Sequence, residues 1–428
     1  MVGSALAAAT RNGGCRTLAG FTRGLARGTG IALRSGVAPL FLGARLAWHR
    51  TELADDDVPV PRPGVATAAK IALDEFFFAS ELATAAMVSL RDRGRMAAEL
   101  GEAVALFGER GWLDDPRGYH LDPPALGRVV IEPGRAAGLD FEHLRFESGY
   151  APHADEPGRA RWLSYEANRT AHAWVLRHSG PERPWVLCIP GYRMGSPLVD
   201  FSGFRARWLY RRLGLNLVIP VLPLHGPRRR GRRGGDGFFT GDFVETLHAQ
   251  TQAVWDIRRL VTWLQDQGAP AVGVHGVSLG GYTTALVASL QDGLDCVIAG
   301  VPATDFVRLV RGHLPGFLVR AADRFGFTFD RIEKLLSVVS PFGFEPRVPR
   351  NRRYIYAGLV DRLTPPDQAR DLWRHWGKPR AYWYHGGHTT FLFEPGVKAL
   401  LFEAFHNTGL LVRAVAASHP PAADPIGS

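Results

Sequence analysis

The sequence predicts an α/β protein built on a mostly parallel, doubly wound sheet, and three observations carry that expectation. Short apolar runs alternate with helical stretches from about residue 140 to 413. Several runs are too continuous to leave one face in water, as strands covered on both sides must be. Helical stretches then recur between the later runs, the alternation that generates parallel strands with crossover helices.

The runs are His143–Phe146, His172–Leu176, Trp185–Ile189, Leu215–Val221, Ala271–Val277, Cys296–Val301, Tyr354–Leu359 and Ala381–Tyr384, so an eight-stranded sheet is expected. The first two have no helical stretch between them and read as an antiparallel hairpin. Helices are expected over Phe204–Leu213, Glu245–Gln267, Tyr282–Leu290, Pro366–Trp376 and Val397–Thr408. Upstream, Met96, Leu100, Val104 and Phe107 share one helical face while Arg95, Glu99 and Glu102 take the others, so residues 66 to about 118 are helical. The organisation that follows is a basic segment over 1–54, a linker and helical region over 55–139, a catalytic-sized α/β unit over 140–413, and a Pro/Ala-rich disordered tail over 414–428. The linker is marked by the charges and prolines of Asp55 to Gly64. Residues 303 to about 350, between the sixth and seventh strands, form a short helical insertion in which Phe306, Leu309, Val310, Leu314, Phe317 and Leu318 repeat at helical spacing.

A chain of 428 residues with 46% apolar composition has ample material for a core. Its three cysteines, Cys15, Cys188 and Cys296, are too few and too scattered for a disulfide framework or a zinc site, which favours a reducing compartment. The net charge of +10 is carried by arginine, since the lysines are Lys70, Lys334, Lys378 and Lys398 alone. No helix-turn-helix, RNA-recognition or zinc-finger pattern accompanies that charge, and no nucleic-acid partner is expected. No apolar run reaches the ~18 residues of a spanning helix; the nearest are interrupted by Arg34 and Arg45, or by Asp74, Glu75 and Glu81. A cytoplasmic location is expected. From Met1 to Thr51 there is no acidic residue, while arginine stands at 11, 16, 23, 27, 34, 45 and 50. Such a segment can hold a protein at an anionic membrane surface.

The sharpest motif is Gly276-Val277-Ser278-Leu279-Gly280, which directly follows an apolar strand and precedes a helical run. A serine presented on so tight a strand-to-helix turn leaves no room for side chains two residues to either side, and Gly276 and Gly280 remove them. The helix that follows aims its unpaired N–H groups at the same place.

With this motif the chain resembles the α/β-hydrolase superfamily of serine hydrolases, over residues 140 to 413, and the whole chain resembles a branch with a long helical N-terminal segment. The resemblance implies the α/β-hydrolase fold, with the 303–350 insertion as its lid, and a triad ordered nucleophile, acid, histidine. Ser278 is then the nucleophile. Gly358-Leu359-Val360-Asp361, followed by Pro365-Pro366, resembles the family's acid turn and implies Asp361; Asp367 and Thr364 are better placed than Asp361 to cap the helix that follows. Tyr384-His385-Gly386-Gly387-His388 ends the last strand, and the family's Gly-Gly-His favours His388 over His385. The oxyanion hole falls to the backbone N–H groups of Leu279 and Tyr192, the latter in Ile189-Pro190-Gly191-Tyr192, where Pro190 replaces the family's histidine. His225 in Pro223-Leu224-His225-Gly226-Pro227 resembles the His-Gly loop beside the family's pocket, which implies substrate binding, and the arginines 228, 229, 230, 232 and 233 follow it.

The expected activity is hydrolysis of a carboxylic ester, on a small-molecule or lipid substrate, through an acyl-enzyme and without cofactor or metal. A peptidase or amidase of the prolyl-oligopeptidase kind shares this core, though nothing before residue 140 reads as a propeller. A binding protein on a retired scaffold would have lost a triad member.

Overall fold

The computed structural model describes residues 92–418 apart from 240, 314–319, 321–322 and 325, together with 58–59, 61, 64, 67, 69–75 and 77. The basic segment 1–54 and residues 419–428 lie outside the described residues, as do Leu314, Phe317 and Leu318 of the insertion.

Nine strands form one sheet: β1 Val129–Ala136, β2 Leu139–Glu147, β3 Thr170–Leu176, β4 Trp185–Ile189, β5 Asn216–Val221, β6 Val272–Val277, β7 Cys296–Gly300, β8 Arg353–Gly358 and β9 Arg380–Tyr384. Their order is β1-β2-β3-β5-β4-β6-β7-β8-β9. The strands from β5 across to β9 pair in parallel, and β1, β2 and β3 are antiparallel. The ninth strand corrects the expected eight. It is β1, a strand holding Glu132, Pro133 and Gly134 that runs along the sheet edge with most of its residues exposed. Proline and charge are tolerated at an edge, where one row of backbone groups faces water, so no apolar run announces it. The hairpin is also placed differently. The tight turn joins β1 to β2 through Ala137 and Gly138, both at positive φ. The expected pair, β2 and β3, is antiparallel but separated by two short helices, Arg159–Leu163 and Glu166–Arg169.

The main helices are α1 Arg93–Glu109, α2 Pro197–Gly203, α3 Phe243–Asp266, α4 Leu279–Leu290, α5 Phe306–His313, α6 Phe329–Ser337, α7 Pro366–His375, α8 Pro395–Asn407 and α9 Leu410–Ser418. α9 runs into the stretch that composition assigns to the tail. The expected helix Phe204–Leu213 is instead a π turn, Trp208–Arg212, set off from α2 by Arg205 at φ 51°.

Alternation along the strands divides the core in two. In β4, Trp185, Leu187 and Ile189 pack with α1, α3 and α4, while Val186 and Cys188 pack with α2 and α8 on the opposite face. β7 divides in the same way, Val297 and Ala299 against Cys296 and Ile298. The helical region upstream of the sheet belongs to the first layer. α1 buries Met96, Leu100, Ala103 and Phe107, with Val104 half-buried. Arg161 then bridges α1 to α3, donating to Glu99 at 2.6 Å and to Glu245 at 2.7 Å.

Consecutive parallel strands leave β4 in opposite directions, toward β5 on one side and β6 on the other. A crevice opens outside the carboxyl ends of strands at such a switch point. Ser278 stands at that end of β6, and Gly191 at that end of β4.

Candidate active site

Ser278 has φ 60° and ψ −117°, a conformation few side-chain-bearing residues adopt. It is held there by three backbone bonds. Its N–H donates to Gly300 at 2.8 Å, and its carbonyl accepts from Tyr282 at 3.1 Å and Ala303 at 3.3 Å. Both flanking glycines are required by contact. A Cβ on Gly276 would lie 2.0 Å from the carbonyl oxygen of Gly280 and 2.2 Å from Thr284 Oγ1. Every residue from Ala271 to Leu290 is buried except Ser278. The elbow thus leaves one residue half-buried in an otherwise closed strand and helix.

Asp361 follows β8 and His388 follows β9. His388 Nδ1 donates to Asp361 Oδ2 at 2.7 Å, and both side chains are buried. The carboxylate is fixed from the other side, Oδ1 accepting from the N–H groups of Leu363 and Thr364, each at 2.9 Å. Thr364 Oγ1 lies 2.9 Å from Asp361 Oδ2, 3.1 Å from His388 Nδ1 and 3.1 Å from the carbonyl of Val301. Val301 belongs to the turn whose Gly300 and Ala303 hold Ser278, so one hydrogen-bonded path joins the three elements. Among the described residues no hydrogen bond joins Ser278 to His388 directly. Burial pulls the His388 pKa down, but the charge and hydrogen bond of Asp361 and the charge of Asp74 outweigh it and leave it raised. His385 lies on the same loop, its carbonyl taken by Lys70 Nζ at 2.6 Å.

The loop after β4 closes against the serine. A Cβ on Gly191 would stand 3.3 Å from Ser278 Cβ and 3.1 Å from the carbonyl oxygen of Val277, so the backbone passes directly beside the elbow. Leu279 is the first residue of α4, where an N–H has no partner within its own helix. The Tyr192 ring packs edge-on to His225 at 5.7 Å and to Phe239 at 5.2 Å, and Phe239 in turn meets Phe306 at 5.0 Å. The start of the insertion therefore reaches the loop that flanks Ser278.

His225 is buried behind Tyr192. Its Nδ1 donates to the carbonyl of Pro223 at 2.9 Å, which leaves Nε2 as an acceptor; Nε2 is buried without a hydrogen-bond partner among the described residues. Burial pushes its pKa down to about 4, so the ring is neutral near pH 7. The arginines that follow do not act as one group. Arg228 is fully buried with Asp256, Arg230 lies over the Tyr165 ring and pairs with Glu245, and Arg229, Arg232 and Arg233 are exposed.

Two neighbours of the site escape the sequence reading. Thr364, read there only as a possible helix cap, joins Asp361 and His388. Asp74, read only as an interruption of an apolar run, accepts the backbone N–H of His388 at 2.9 Å.

A strand order of this kind, with a serine elbow between β6 and α4 and a carboxylate–histidine pair after β8 and β9, defines an α/β-hydrolase fold. Within it the chain belongs to a family that includes two proteins of Mycobacterium tuberculosis. It is 41% identical over 358 residues to "Uncharacterized protein MT2702" of strain CDC 1551 / Oshkosh, covering 83% of this chain and 86% of that one. It is 40% identical over the same length to "Uncharacterized protein Rv2627c" of strain ATCC 25618 / H37Rv, with the same coverage. No protein-family model matches the chain. Among solved structures, an acetyl xylan esterase from Paenibacillus sp. R4 is similar at TM-score 0.49 and 16% identity, covering 71% of this chain and 94% of that one. Among the described residues no helix is long and apolar enough to cross a membrane.

Proposed function

We propose that the protein is a serine hydrolase that cleaves a carboxylic ester through an acyl-enzyme. The observation that carries this reading is that Ser278 alone is only half-buried within a buried strand and helix, on the same sheet end as a buried His388–Asp361 pair 2.7 Å apart. Asp361 accepts from Nδ1 and so fixes the tautomer in which Nε2 is the free base. Nε2 takes the Ser278 proton as Oγ attacks the carbonyl carbon, and returns it to the leaving alcohol. The N–H groups of Leu279 and Tyr192 hold the oxyanion, the former reinforced by the N-terminus of α4. Water, deprotonated by the same imidazole, then releases the acid and restores Ser278. The half-buried rings of Tyr192 and Phe239, backed by the buried Phe306, offer apolar surface to an acyl or alcohol group near the loop that flanks the serine. His225, which the resemblance assigns to substrate binding, backs that surface from behind, with its Nε2 buried against the Tyr192 ring and Gly235.

A fluorophosphonate probe tests the reading, since it reacts with an activated serine and needs no knowledge of the substrate. Incubation of the full-length protein followed by mass spectrometry should find the adduct on Ser278, and p-nitrophenyl esters of graded chain length should then be hydrolysed. Labelling at another residue, or none in folded protein, refutes it.

A further inference from the structure

The helical stretch over residues 69–75 lies far upstream of the sheet, yet its acidic residues enter the site. Asp74 and Glu75 are 1% and 5% exposed. Asp74 Oδ2 accepts two backbone N–H groups, from His388 at 2.9 Å and from Arg362 at 3.1 Å. One carboxylate thus bridges the residue after Asp361 and the histidine itself, which stand on separate loops. Glu75 fixes the same arginine through a buried ion pair, Oε1 to Arg362 Nε at 2.7 Å. Lys70, one turn earlier, holds the carbonyl of His385 at 2.6 Å. The packing leaves no slack at Gly387, where a Cβ would lie 2.6 Å from Asp74 Oδ2. The second glycine of the Gly-Gly-His turn is therefore a requirement of Asp74 as much as of the turn.

We propose that Asp74 is a positioning residue of this site, holding the His388 and Asp361 loops at one spacing and adding a second carboxylate to the surroundings of the imidazole. The inference rests on the triad reading above and extends it: the segment upstream of the sheet completes the active site. Asp361 on the ring nitrogen and Asp74 on the backbone N–H of the same residue both favour the protonated imidazole, the form that appears when Ser278 gives up its proton. Among the described residues the other charged and titratable groups around Asp74 are Glu75, Lys70 and the Arg362 side chain, with Glu394 3.8 Å from Lys70 and the Tyr384 phenol beneath the loop. Burial and then the charge of Asp361 push the Asp74 pKa up to about 7, against the pull of His388 and the two N–H groups. Its own charge therefore changes near neutrality, in concert with the ring.

The test is the rate of fluorophosphonate labelling of the full chain as a function of pH, in the wild type, Asp74→Asn, Asp74→Ala, Gly387→Ala and Asp74→Ala/Gly387→Ala. Asp74→Asn keeps the shape and one acceptor but removes the charge. It should slow labelling about tenfold or more and move the rising limb to lower pH by on the order of half a unit, because the imidazolium has lost a neighbouring anion. Gly387→Ala should slow labelling by displacing the carboxylate. Combined with Asp74→Ala it should cost little beyond Asp74→Ala alone, since the added methyl then occupies vacated space. A role in folding only would lower the yield of folded protein and leave the limb where it was. A labelled wild type with an unmoved limb and rate in Asp74→Asn overturns the positioning role while the triad reading stands; an unlabelled wild type overturns both. If Asp74→Asn does not fold, an unchanged rate and limb in Gly387→Ala overturns the proposal by itself.

Discussion

Gly280 lies directly against the carbonyl of Ile189. A Cβ at position 280 would stand 1.9 Å from the Ile189 oxygen and 2.7 Å from that of Pro190. The contact joins the first turn of α4 to the end of β4, where the chain turns into the loop carrying Gly191 and Tyr192. The glycine after the serine is thus set by the neighbouring strand, and the spacing between the Leu279 and Tyr192 N–H groups depends on it.

Gly280→Ala should therefore force the two loops apart. The opposing atoms are backbone, which cannot rotate away, so a destabilisation of about 1–3 kcal/mol or more is expected, with loss of probe labelling. Gly127→Ala is the control: nothing lies within 4 Å of its Cβ position, and it should stay within ~0.5 kcal/mol. Thermal unfolding of both variants checks the difference. A Gly280→Ala protein with wild-type stability and labelling contradicts the packing argument.

The pH dependence follows from His388. As the proposed general base it must be neutral, and its pKa is raised above the ordinary 6.5: burial lowers it, and Asp361 with Asp74 more than compensates. Activity is accordingly present above that pKa and lost as the pH falls through it, with a midpoint above 6.5. Asp361→Asn removes the main raising charge, so the midpoint should drop while kcat/KM falls by several powers of ten. Thr364→Val removes a hydroxyl that touches both partners, and should cost about tenfold. The profile of kcat/KM on a p-nitrophenyl ester measures all three.

Tyr192 is assigned through its backbone, so Tyr192→Phe should retain activity to within about threefold. The ring contacts with His225 and Phe239 survive that change. A hundredfold loss would assign the chemistry to the phenol.

What the sequence discloses and what it hides divide along one line: the range of the constraint. The elbow is legible because strain at Ser278 and crowding at Gly276 and Gly280 act within a few residues of the motif. Strands β4 and β6 are legible because burial on both faces leaves almost no polar positions: across Trp185–Ile189 and Val272–Val277 only His275 is polar. Asp361 and His388 are legible through the turns that carry them. β1 is hidden because an edge strand tolerates Glu132 and Pro133. Asp74 is hidden for the opposite reason, since its partner lies 314 residues away and no local pattern records the contact. The one hint is compositional: Asp74 and Glu75 interrupt an apolar stretch, and charges on a buried face need partners.

The arginine cluster after His225 gives the last prediction, and here the structure separates residues that the sequence treats alike. Arg228 is 1% exposed, with Nη1 2.9 Å from Asp256 Oδ2 and 3.0 Å from the carbonyl of Val221, and Nη2 3.0 Å from that of Asn168. Asp256 also accepts from Ser148 at 2.6 Å. Arg228 thus ties the turn after β5 to α3 and to the start of β3. Arg228→Met leaves Asp256 buried without its countercharge, and breaking a buried pair in this way costs about 3–5 kcal/mol. Arg229→Met and Arg232→Met alter exposed positions and should stay within ~0.5 kcal/mol. Asp256→Leu together with Arg228→Met should recover much of the loss, because no charge is then stranded. Urea unfolding of the four variants decides it. Equal stabilities for Arg228→Met and Arg229→Met would show that Asp256 is neutral in the folded protein and that the pair contributes nothing.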